Sequence, residues 1–173
     1  RAFDERLQRF VAIKTPYSDR FADLAGANEF LREAQQAAHL DHPNVVPVYD
    51  VGQIDDRWYI VYKLIEGCTL REFSQRRKLT SVEIAVLVAQ IADGLDAAHQ
   101  KNLYHRDIKA SNILVDAAGI PFIADFGLAI REAELETAQA MVVGTLPYMS
   151  PEQIRGEGHR VDGRTDIYSL GVV

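Results

Sequence analysis

The apolar positions of this chain change their spacing near residue 66. Residues 9–14, RFVAIK, are apolar and partly β-branched, which predicts a strand. Pro16 to Gly26 carries no such run and predicts a loop. From Asn28 to Leu40 the positions Phe30, Leu31, Ala34, Ala37 and Ala38 recur at helical spacing, and 41-DHPN-44 stops the pattern. Two more apolar runs, 45-VVPVYDV-51 and 57-RWYIVYKLI-65, flank 52-GQIDD-56 and predict an antiparallel hairpin.

After Glu66-Gly67 the pattern becomes helical. Thr80-Ser-Val-Glu83 is a capping box, in which hydroxyl and carboxylate satisfy free backbone donors. It opens a helix with Ile84, Leu87, Val88, Ile91 and Leu95 on one face, running to about Gln100. Two short strands are expected at 112-NILV-115 and 121-PFIA-124, split by a turn from Asp116 to Gly119. From Asp125 to Glu152 no periodicity persists for long, and a connection of that length in a compact domain is usually functional or disordered. A strand-rich N-terminal part, followed by a helix-rich part with a small hairpin and a long loop, makes an α+β fold.

Composition narrows the function classes. Apolar residues at 47% and charged residues at 25% suit a soluble globular protein. A formal charge of −6 argues against a nucleic-acid binder, which usually shows a basic stripe. No apolar run reaches the roughly 18 residues of a membrane span, and no signal peptide is visible. Cys68 is alone and cannot form an internal disulfide, so a reducing, cytoplasmic setting is expected. The five histidines show no metal-ligand spacing. The chain opens on Arg1-Ala-Phe and stops inside the apolar run 166-DIYSLGVV-173, which reads as a piece cut from a longer protein.

The stretch 105-HRDIKASNILVD-116 crowds His105, Arg106, Asp107, Lys109 and Asn112 into eight residues and then turns apolar. Transfer of a phosphoryl group needs such a set, because its transition state spreads negative charge over oxygens and is met mostly by positioning and electrostatics. Lys14, ending its strand, would contact phosphates as a point charge, with Glu33 holding the long side chain in place. Asp107 would orient a hydroxyl and accept its proton, and Lys109 would balance charge on the transferred group. Asn112 and Asp125 would give oxygens to Mg²⁺, a hard cation.

With those residues the chain resembles the protein kinases, specifically bacterial serine/threonine kinases of the eukaryotic-like type. The matching segments are 11-VAIK-14, 30-FLREA-34 with 42-HPNVV-46, 105-HRDIKASN-112, 125-DFGLA-129, 144-GTLPYMSPE-152 and 166-DIYSLG-171. If each residue type occurs about once in 20, eight fixed matches arise by chance with odds on the order of 10⁻¹⁰. Lys109 together with Gly144-Thr145 points to the Ser/Thr subclass.

The resemblance implies a two-lobed, kinase-like fold that is incomplete, lacking the first strands with the Gly-rich loop and the C-terminal helices. Residues 1–65 would be a partial strand-rich lobe with one helix and the hinge, and 66–173 a partial helical lobe with the catalytic and activation loops. It implies ATP and Mg²⁺ (or Mn²⁺), a protein substrate with a Ser/Thr acceptor, and dimerisation for autophosphorylation, with no nucleic acid. Arg106 would pair with a phosphorylated residue of the activation loop 125–152, Thr137 being favoured, while Thr145 would help hold the substrate segment. Backbone groups of Lys63 and Ile65 would grip adenine, Ala12 and Leu114 would sandwich it, and Tyr62 would guard the back of the pocket. Asp166 would brace the catalytic loop, and Glu152 would lack the arginine it pairs with in the family. Tyr62 is large for its place, Lys63 stands where an acidic residue is frequent, and Ser150 replaces the commoner alanine before Pro-Glu. Cys68, just past the hinge, reads as structural.

The parent protein is expected to be active and the isolated piece weak or inactive. A pseudokinase or scaffold remains the alternative, although the set Lys14, Glu33, Asp107, Asn112 and Asp125 is complete. A kinase fold acting on small molecules is a third reading, and 144-GTLPYMSPE-152, resembling a protein-substrate platform, argues against it.

Overall fold

The computed structural model describes residues 1–15, 31–32, 34–55, 57–126 and 146–173. Strands β1 (Ala2–Asp4), β2 (Arg9–Lys14), β3 (Val48–Ile54) and β4 (Arg57–Lys63) form an antiparallel sheet in the order β1-β2-β4-β3. Its register sets Ala12 opposite Tyr62 and Lys14 opposite Ile60. A second sheet, β5-β6-β7, joins Gly67–Thr69, Ile113–Asp116 and Pro121–Ile123. The helices are α1 (helical positions 31–32 and 34–38), α2 (Leu70–Arg76), α3 (Ser81–His99), α4 (Pro151–Ile154) and α5 (Gly163–Val172).

Helix α3 starts where its capping box predicts: Thr80 N–H donates to Glu83 Oε2 at 2.8 Å, and Glu83 N–H returns to Thr80 Oγ1 at 3.3 Å. Its buried face is narrower than expected. Leu87, Ile91 and Leu95 are in the core, while Ile84 and Val88 are exposed. The small residues Gly94 and Ala98 let the helix approach β7 on the other flank, where Gly94 lies against Ile123, and so rotate the buried arc away from Val88.

The hairpin, too, departs from the bounds its sequence pattern predicts. β3 begins at Val48, and it pairs with β4 as far as Ile54 opposite Arg57, so the turn is shorter than 52–56. Asp55 takes a positive φ of 47°, which a tight connection demands and which Asp tolerates. Val45 and Val46 leave the hairpin for the second sheet: Val45 bridges Ile123, and Val46 N–H donates to the Ile123 carbonyl at 2.9 Å. β4 stops at Lys63 rather than Ile65. The loop expected from Pro16 to Gly26 lies outside the described residues.

Among the described residues, two apolar clusters form the core. The larger packs Leu87, Ile91, Leu95 and Ala98 of α3 against Ile108, Ile113, Val115 and Ile123, and it takes in Ala37, Leu40 and Val45. The smaller centres on Ala34, Val46, Ile60 and Tyr62, with Ala12, Ile65, Leu114 and Phe122 against it. The β6–β7 hairpin serves both, since side chains alternate across a strand: Ile113, Val115 and Ile123 face one cluster, Leu114 and Phe122 the other.

Gly67 tests that sheet. It pairs with Asp116, and an added Cβ would stand 1.9 Å from the Val115 carbonyl oxygen. Gly67→Ala must push β5 off β6, an overpacking that costs about 1–3 kcal/mol. In the intact protein this lowers Tm by roughly 3–10 °C, read by calorimetry; an unchanged Tm would show that β5 is not held there.

Candidate active site

The loop 105–112 is built around one buried carboxylate. Asp166, in the first turn of α5 and fully buried, accepts from the backbone N–H of His105 at 2.9 Å and of Arg106 at 2.7 Å. His99, from the last turn of α3, adds its Nε2 at 2.8 Å. Arg106 sits at φ 65°, a left-handed conformation for a residue with a side chain. His105 is buried as well. Its Nε2 donates to the Ala124 carbonyl at 2.8 Å, so Nδ1 is free to accept from Asp107 N–H at 3.2 Å. The ring stands edge-on to Phe126, with centroids 5.0 Å apart.

The polar side chains singled out in the sequence meet here. Lys109 Nζ lies 2.6 Å from Asp107 Oδ2. Asn112 Nδ2 donates to Asp107 Oδ2 and to the Asp107 carbonyl, at 2.9 Å each. That commits the amino end of the amide and leaves its oxygen, the atom a hard cation uses, out of both bonds. Ala124 N–H donates to the Asn112 carbonyl at 2.9 Å, which places Asp125 beside Asn112. Asp125, at φ 64°, pairs with Lys14 Nζ at 2.9 Å. An amide oxygen and a carboxylate are donor types that a hard divalent cation takes.

The apolar side of the site assembles as well. Ala12, Tyr62, Ile65 and Leu114 share the smaller cluster. The Tyr62 phenol is pushed far above its ordinary range, first by burial and then by the charge of Asp125. Lys63 N–H is already bonded to the Pro47 carbonyl at 3.0 Å, so only its carbonyl is a candidate for a purine contact. Its ammonium lies 5.8 Å from the Phe122 ring centroid. Cys68 is partly buried in β5, opposite Val115.

Glu33, Thr137 and Thr145 lie outside the described residues, as does most of the activation loop. Arg106 Nε is buried with no hydrogen-bond partner among the described residues. Three contributors escaped the sequence reading. Asn44 anchors the 44–46 segment by donating to the Pro121 carbonyl at 2.9 Å. His99 joins Asp166. Gln153 donates to the Arg106 carbonyl at 2.7 Å. Ser150-Pro-Glu-Gln153 carries a capping-box signal that would have found the start of α4, as Thr69 to Glu72 would have found α2.

Glu152 accepts from Thr165 Oγ1 at 2.6 Å, and that bond is the main reason its carboxyl is held below the usual carboxylate range. A depressed folded-state pKa gives stability that is present above the unfolded value and lost as pH falls through the folded one. Thr165→Val is expected to raise the pKa of Glu152, followed by NMR titration, and to remove its share of the acid-unfolding limb. An unmoved titration would exclude the hydroxyl as the cause.

The protein kinase domain model matches residues 1–173. Serine/threonine-protein kinase PknB of Mycobacterium leprae is 40% identical over 179 residues, covering 99% of this chain and 28% of the relative. Serine/threonine-protein kinase PrkC of Bacillus subtilis is 41% identical over 174 residues, covering 99% of this chain and 26% of its own length. The chain thus spans about a quarter of the length of these relatives. Among solved structures, one titled "PpkA-294 apo form" matches with a TM-score of 0.79 at 28% identity, covering 99% of this chain and 66% of that one. Among the described residues, no helix is long and apolar enough to cross a membrane. The chain belongs to the protein kinase domain family.

Proposed function

We propose that this chain carries the catalytic apparatus of an ATP-dependent protein serine/threonine kinase. One observation carries the reading: residues scattered from position 14 to position 125 converge as two linked ion pairs, Lys14–Asp125 and Lys109–Asp107, with Asn112 bonded to Asp107 and adjacent to Asp125. The names of the bacterial relatives support the same activity.

In this reading the Asp107 carboxylate receives the proton of the acceptor hydroxyl and aims the hydroxyl oxygen at the γ-phosphorus. The Lys109 ammonium, already within 2.6 Å of that carboxylate, balances charge on the group in transfer. Lys14 contacts the phosphates, and Glu33 steadies it. The oxygens of Asn112 and Asp125 hold the metal, Mg²⁺ or Mn²⁺, which when bound neutralises charge on the phosphate oxygens. Ala12 and Leu114 take the two faces of the purine beside Tyr62. The Lys63 carbonyl and the Ile65 N–H read its edge.

Two lobes, 1–65 and 66–173, would close on the nucleotide. They share more core than such a division suggests, since Ala37, Leu40 and Val45 pack with α3. Arg106 would meet a phosphorylated Thr137, and two copies would pair for autophosphorylation.

The direct test is transfer of labelled phosphate from ATP to a protein substrate by the intact protein. Asp107→Asn is expected to lower kcat by about 10²–10⁴-fold. Equal labelling by both proteins would remove Asp107 from its role. Thr137→Ala is expected to lower transfer as well, and an unchanged rate would move the phosphosite elsewhere.

A further inference from the structure

The catalytic loop is held from a second side, by a residue none of the assigned roles uses. Gln153 closes α4 over the loop with both ends of its carboxamide engaged. Its Oε1 accepts from Ser150 N–H at 3.0 Å, and its Nε2 donates to the Arg106 carbonyl at 2.7 Å. A backbone N–H can only donate and a carbonyl can only accept, so this amide has one workable orientation. We propose that Gln153 is a positioning residue for the phosphotransfer site, fixing the peptide between Arg106 and Asp107.

That peptide is the hinge on which the Asp107 side chain hangs. Its oxygen is held by Gln153 and its N–H by His105 Nδ1. The preceding N–H, of Arg106, is held by Asp166. Arg106 occupies the left-handed region, where a residue with a side chain persists only if its surroundings over-determine it. Without Gln153 the peptide keeps its N–H contact and loses its carbonyl contact, and rotation toward ordinary φ values becomes cheaper.

The support for Gln153 is itself anchored. Ser150 is fully buried at the start of α4, and the neighbouring Glu152 accepts from Thr165 of α5. Helix α5 therefore reaches the catalytic loop by two routes. One is direct, through Asp166; the other runs through Thr165, Glu152, α4 and Gln153.

Gln153→Glu separates the two ends of the carboxamide. A carboxylate still accepts from Ser150 N–H, but it has no proton to donate and sets an oxygen against the Arg106 carbonyl. Gln153→Met, which removes both ends while keeping the length, serves if the first variant folds poorly. In the intact protein, hydrogen–deuterium exchange of the peptide covering 104–113 is expected to quicken about tenfold in either variant. The peptide covering 150–156 should stay unchanged in Gln153→Glu. The kinetic half rests on the kinase reading: kcat falls about tenfold while KM for ATP holds within twofold.

Exchange of 104–113 that matches wild type in both variants overturns the inference, as does a change confined to KM. If the wild-type protein transfers no phosphate, the kinase reading fails, and the exchange result alone decides for or against Gln153.

Discussion

A carboxylate taken fully out of water is tolerable only if every approach to it is a donor, and Asp166 meets that condition. Two backbone N–H groups and one imidazole converge on it, from the catalytic loop and from α3. An uncompensated buried charge costs several kcal/mol, so the loop and the carboxylate hold each other: neither conformation is favourable alone. The chain chooses Asp rather than Asn here for a simple reason. Two oxygens receive the two N–H groups at 2.9 and 2.7 Å, whereas an amide would turn a donor toward one of them. The left-handed backbone of Arg106 follows from this grip, and the direction of Asp107 follows from Arg106.

The second constraint is the β6–β7 hairpin. Pairing of Ile113 with Ile123 sets Asn112 and Ala124 across from each other at its open end. The residue after Ala124 is Asp125, so the two oxygen donors proposed for the metal are neighbours because a hairpin joins them. Asp116 closes the other end, accepting from the N–H groups of Ala118 and Ile120 at 2.9 Å each. The same strands present Leu114 and Phe122 to one cluster and Ile113, Val115 and Ile123 to the other. One short element thereby fixes both the polar donors and the apolar floor beside Tyr62.

Much of this was legible in the sequence, and what was not has physical reasons. Lys14, Asp107, Lys109, Asn112 and Asp125 were found because their chemistry, order and spacing leave few other readings, and the structure brings them together. Helix α3 was legible from its capping box, but the burial of its face was not, because Gly94 and Ala98 carry no hydrophobic signal while deciding which flank approaches the sheet. β1 and β5 have three residues each, too few to show a period. Val45 and Val46 look like strand in isolation; their partner, Ile123, is 78 and 77 positions away and no local pattern points to it. Gln153 was hidden for the same reason. Its capping partner is three residues off, but the carbonyl it holds is 47 residues away.

The two kinds of charge in this site answer to different physics. Asp166 is buried and fully bonded, and its work is to shape the loop. Lys14 and Asp125 are 39% and 30% exposed at the side chain, a setting in which an ion pair contributes only about 0–1 kcal/mol. Stability gives little reason to gather Lys14, Asp107, Lys109 and Asp125 in one place, with like charges nearby. Lys14 and Asp125, paired in this weak and half-solvated way, can exchange partners at low cost, whereas Lys109 and Asp107 are more enclosed, at 23% and 13%. A triphosphate could draw the lysines away from the carboxylates, and a divalent cation could take their place. A site built for stability would have sealed the Lys14–Asp125 pair; one built to trade ions leaves it where water and ligand reach it.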